Sequence, residues 1–142
     1  MKQARNLLPA LIALAFLVGI FGTQGAQAQS QKEYKPKAKV TSLVKTSLAG
    51  VQGKDVIIKH FELPANYVGG KHWHPGQVFV YVLEGEFTVE LDEGIKTIKA
   101  GEVYMETPKV TMRAKNLSTT KPLKIVVFQV GDTGKPMMIK AK

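Results

Sequence analysis

From Val40 to the C-terminus the chain alternates between short runs rich in Val, Ile, Thr, Phe and Tyr and clusters of Gly, Pro, Asp and Asn. No segment in that stretch keeps a helical period. Such a rhythm is the mark of an all-β sandwich or barrel, because β-branched and aromatic side chains suit a pleated, half-buried surface and the small or polar clusters suit reversals. Strands are predicted at Val40–Leu48, Lys54–Leu63, Tyr67–Trp73, Gln77–Leu83, Glu86–Leu91, Ile95–Ala100, Val103–Glu106, Thr111–Asn116 and Leu123–Val130, with an edge strand at Met137–Lys140. Glu84-Gly85 and Asp92-Glu93-Gly94 read as hairpin turns, where a glycine supplies the positive φ that a reversing chain needs. Phe87, Val89 and Leu91 alternate with Thr88, Glu90 and Asp92, so that strand has one buried and one wet face. Val78 to Leu83 is apolar on both faces and is expected to be covered twice, by the barrel interior and by a further sheet or a second subunit.

The 142 residues suffice for one such domain. Residues 1–28 read as a signal peptide: Lys2 and Arg5, an apolar run of about fifteen residues from Leu7 to Phe21, then a small, polar stretch ending in Ala26-Gln27-Ala28. The run is short for a membrane span, so the reading expects cleavage after Ala28, a periplasmic or secreted product and no stable membrane insertion. Residues 29–39, rich in Gln, Ser and Lys, are expected to form a flexible basic arm before a domain at 40–142. With no cysteine, stability in an oxidising compartment rests on the apolar core. Removing Lys2 and Arg5 from 20 basic against 11 acidic residues leaves 18 against 11, a net +7. No nucleic-acid motif accompanies that charge, which reads as a solvated face. No Ser-His-Asp set, paired acids or phosphate-binding glycine loop is present.

The chemistry concentrates in Gly69-Gly70-Lys71-His72-Trp73-His74-Pro75-Gly76-Gln77. At period two His72 and His74 share a face, so their imidazoles can converge on one point, as in many transition-metal sites. His60 and Glu62 share a face of another strand, read as the solvent-facing one because Lys59, Phe61 and Leu63 point to the core.

These residues resemble the cupin superfamily. His72, His74 and the following Tyr81-Val82-Leu83-Glu84-Gly85 are similar to its first motif, and Gly101, Pro108 and Asn116 to its second. The resemblance implies a cupin-type jelly-roll β-barrel of two antiparallel sheets, with His72, His74, Val78, Val80 and Met112 lining the cavity. It also exposes three departures. Val78 stands where the family has its Glu ligand, Met112 where it has its third His, and Lys109 where the second motif has an inner Gly. Of three His and one Glu, two His remain. The candidate donors are then His72, His74, Gln77 and Met112, the set a divalent transition metal or, through the Met112 thioether, Cu(I) would use. The reading favoured is an exported single-domain cupin that binds a small organic molecule beside a weak or degraded metal site and forms a homodimer. Its rivals are a metal-dependent oxygenase or isomerase completed by Gln77 and water, and a structural module with a closed barrel.

Overall fold

The computed structural model describes residues 35–142, so the expected signal peptide and cleavage site lie outside the described residues. Ten strands follow in chain order. They are β1 (Lys39–Ser47), β2 (Lys54–Leu63), β3 (His72–Trp73), β4 (Gln77–Glu84), β5 (Glu86–Leu91), β6 (Gly94–Lys99), β7 (Val103–Glu106), β8 (Met112–Lys115), β9 (Leu123–Asp132) and β10 (Ile139–Lys140). One five-stranded sheet runs β1-β2-β9-β4-β7 and the other β10-β3-β8-β5-β6, with antiparallel pairing throughout. This is the expected all-β jelly roll, and no helix occurs among the described residues.

The core lies between the sheets and is built by alternation. On β4 Val78, Val80 and Val82 point inward, fully buried, and on β5 Phe87, Val89 and Leu91 meet them. Gly85 turns β4 into β5 at φ 87°, and Gly94 turns β5 into β6. Gly76 is needed for a different reason. A Cβ there would stand 2.3 Å from the Val130 carbonyl oxygen, so only glycine lets the end of the histidine segment pack against β9.

Two expected strands are shorter than the pattern suggested. Tyr67–Gly70 runs beside β8 through an isolated bridge, Val68 to Lys115, and through the Gly69 amide on Ala114 O (2.9 Å), leaving only His72–Trp73 in the sheet. The paired glycines there lack side chains to anchor a longer ladder. Residues 136–138 likewise precede β10 as irregular chain. The arm ends earlier than expected, since Ala38 packs against the core and β1 starts at Lys39.

Of the two outer covers expected for β4, a further sheet is absent among the described residues. Its outward side chains Tyr81 and Leu83 are 43% and 47% exposed, beside Val103 and Met105 of β7 at 61% and 57%. Neither sheet among the described residues covers that face.

Candidate functional site

His72 and His74 do converge. Their rings lie 5.0 Å apart, nearly perpendicular, and both are buried. Each ring is oriented by the backbone. His72 Nδ1 donates to Gly70 O (2.9 Å) and His74 Nδ1 donates to Met137 O (2.6 Å), because a carbonyl can only accept. Both Nε2 atoms are thereby left for other partners.

The partner of His74 is one that the sequence reading did not single out. Glu106, at the end of β7 and 3% exposed, places Oε2 3.0 Å from His74 Nε2. In register Glu106 sits directly across from Val78, the very position at which the family pattern calls for a Glu. A carboxylate has thus entered from the neighbouring strand. A lone pair on each side of a 3.0 Å gap would repel, so a proton must lie between them. Burial works against charge on His74. The hydrogen bond and charge of Glu106, the Met137 carbonyl and the nearby Gln129 side chain outweigh it and raise the imidazole above its ordinary value. His72 goes the other way. Burial lowers it, reinforced by the charge on His74 and only partly offset by the Gly70 carbonyl and Glu106.

Gln129, fully buried on β9, occupies the same cross-strand row, opposite Val78 and Ile57. Gln129 Oε1 and Glu106 Oε2 have no hydrogen-bond donor assigned within the described chain beyond the His74 contact. The signal for Glu106 was present in β7, where Tyr104 and Glu106 alternate with the outward Val103 and Met105. What it lacked was register, which only the pairing with β4 supplies.

The other expected site residues separate. Met112 pairs directly with His72 across the β3–β8 ladder and is 2% exposed within the apolar core. Val78 is buried in that core as well, whereas Val80 lines the cavity. Gln77 faces away from it. Its amide donates to Glu106 O (3.0 Å) and Val78 O (3.3 Å), since strand alternation turns it opposite to Val78 and no bulge reverses it. Gln77 therefore braces the strand that carries Glu106 and is not placed as a donor beside the histidines.

As arranged, these groups do not fit a resident metal ion. The carboxylate closes on His74 itself, the Met112 thioether is packed among apolar side chains, and no group of three or more His, Cys, Asp or Glu among the described residues is disposed to hold a metal.

A cavity of about 660 Å³ opens from this polar end. Its walls are chiefly apolar, including Val40, Phe61, Phe87 and Ile125, and His72, His74 and Glu106 give it one polar pole. Ala38 and the tail from Pro136 to Met138 complete its rim.

The second motif's landmarks serve the frame. Asn116, 2% exposed, donates from Nδ2 to the carbonyls of Leu63, Pro64 and Lys121 at 2.9–3.0 Å and accepts from the Ser118 amide at 3.1 Å. Lys109 adopts φ 65°, the left-handed conformation that glycine takes most easily, and its amide donates to His74 O (2.9 Å).

Comparison with known proteins agrees with this architecture. The family model described as "Cupin domain" matches residues 59–129. An RmlC-like cupin family protein with a double-stranded β-helix fold from Methanocaldococcus jannaschii is 24% identical, with a TM-score of 0.57 over 72% of this chain and 86% of that one. A cupin domain from Bordetella pertussis Tohama I is 21% identical, with a TM-score of 0.55 over 68% of this chain and 96% of its own. A conserved double-stranded β-helix protein from Klebsiella pneumoniae is 18% identical, with a TM-score of 0.57 over 78% and 87%. No curated protein sequence matches the chain.

Proposed function

The chain belongs to the cupin superfamily, and from that premise we propose that it is an exported single-domain cupin that binds a small organic molecule within the barrel. The observation that carries this reading is the cavity of about 660 Å³, largely apolar along its walls, with a polar pole where His72, His74 and Glu106 meet. That volume and mix of surfaces suit a ligand with an apolar body and few polar groups. Oriented imidazoles beside a buried carboxylate can fix such a molecule by hydrogen bonds, and the displaced Glu supports binding over metal chemistry. Export rests on the N-terminal sequence alone.

The test is to purify the untagged protein from an envelope fraction, sequence its N-terminus, extract it for mass spectrometry and measure its metals. The reading expects a start at Gln29, a near-stoichiometric organic compound and no stoichiometric metal. A full complement of Fe, Mn, Ni, Zn or Cu would support the metal-dependent enzyme instead. The outer face of β4 and β7, with Tyr81, Leu83, Val103 and Met105 exposed, supports pairing of two copies. Sedimentation as a monomer at high concentration would count against it.

A further inference from the structure

The cavity carries an excess of positive groups that the described residues only partly neutralise. Three lysines, Lys59, Lys71 and Lys140, line it against one carboxylate, Glu106, and that carboxylate is engaged by His74. Lys71 has Asp92 at 3.5 Å. Lys59 has no hydrogen bond or ion pair among the described residues.

Its place in the fold makes this notable. Lys59 stands in the middle of β2, on the face that alternation turns inward, between Ile57 and Phe61. In register it lies across from Val127, which in turn lies across from Val80, so the three form one row on the inner face of the sheet. The Gln129–Val78–Glu106 row is the next one along. A long amine on the inner wall, half-buried and without a counter-ion among the described residues, gives up hydration that none of them returns. An apolar residue would serve packing better at that position. An anion delivered by a ligand would supply the missing partner.

Resting on the reading that the barrel binds a small molecule, we infer that this ligand is an amphipathic organic anion, its apolar body along Phe61, Val80 and Phe87 and its acidic head on Lys59. Lys140 and Lys71 at the rim add to the same field and favour entry of an anion over a cation. The head group is a carboxylate or another single anionic group. The inference concerns its charge.

Three probes sharing one body, 4-phenylbutyrate, 4-phenylbutanol and 4-phenylbutylamine, test this by calorimetric titration of the unmodified protein and of Lys59→Met. The unmodified protein should bind the carboxylate about tenfold more tightly than the alcohol, and the amine most weakly. Lys59→Met should lose the preference for the acid over the alcohol. Equal binding of acid and alcohol by the unmodified protein overturns the inference without help from any variant. A preference that survives in Lys59→Met overturns the assignment to Lys59. Failure of all three probes to bind removes the small-molecule reading itself, and the inference with it.

Discussion

Between Gly69 and Gln77, the two inward-facing histidines stay polar, oriented by backbone carbonyls and joined by a carboxylate from β7. Between Lys109 and Asn116, the corresponding inward place belongs to Met112, and the surviving landmarks, Asn116 and the left-handed Lys109, hold loops in position. The two stretches lie on facing positions of the same ladder, His72 opposite Met112, yet one kept chemistry and the other kept architecture. What the contrast teaches is that a polar site can survive the loss of its own motif residues if a neighbouring strand has one to lend. Glu106 stands opposite Val78 and restores a carboxylate that Val78 cannot supply.

The sharpest way to break the contrast is His74→Leu. It leaves Glu106 buried without its cation, and removing one partner of a buried pair costs about 3–5 kcal/mol. Pairing it with Glu106→Leu should recover much of that loss in denaturant melts, since no uncompensated charge then remains. If His74→Leu alone is neutral, the two groups do not act as a buried pair. On the other side, Met112→Ala should cost about 2–5 kcal/mol, as deletion of a large core side chain does. Added Cu(I) should not raise the melting temperature of the unmodified protein. A metal-dependent rise would return Met112 to the polar side of the comparison.

How far each region could be read in advance follows the same division. Turn glycines and period-two alternation placed most strands to within a residue or two, and the shared face of His72 and His74 needed only local spacing. Glu106 and Gln129 were illegible because their roles depend on which strands pair and in what register, and Glu106 and Val78 lie 28 positions apart in the chain. Lys59 was legible as inward-facing. Its lack of a partner among the described residues was not, because that depends on what every other strand presents to the cavity.

The pH response separates the regions further. His74 has a raised folded-state pKa, so its pair with Glu106 contributes fully below the ordinary imidazole value of 6.5, and the contribution fades as pH rises through the raised value. Chemical denaturation from pH 5.5 to 9 should show Glu106→Gln weakest relative to the unmodified protein at the acidic end, with the gap narrowing upward. A constant gap would mean that the pair holds no pH-dependent proton.

The smallest effect belongs to Lys109. Replacing it with glycine relieves a left-handed non-glycine residue, a gain of about 1–2 kcal/mol offset by about 0.5–1 kcal/mol of chain entropy. A rise of several tenths of a kcal/mol in unfolding free energy, without change in the binding of 4-phenylbutyrate, would mark the second motif as architecture. A loss of binding would tie Lys109 to the site through its bond to His74 O.

The central claim is that the space beside His72, His74 and Glu106 exists to hold a small organic molecule. Val80→Phe adds bulk to that space from its wall. Native mass spectrometry of the unmodified protein and of this variant, prepared side by side, measures occupancy directly. The unmodified protein should carry an organic adduct and folded Val80→Phe should emerge at the mass of the chain alone. Bare mass for both, or an adduct retained equally by both, would contradict the account.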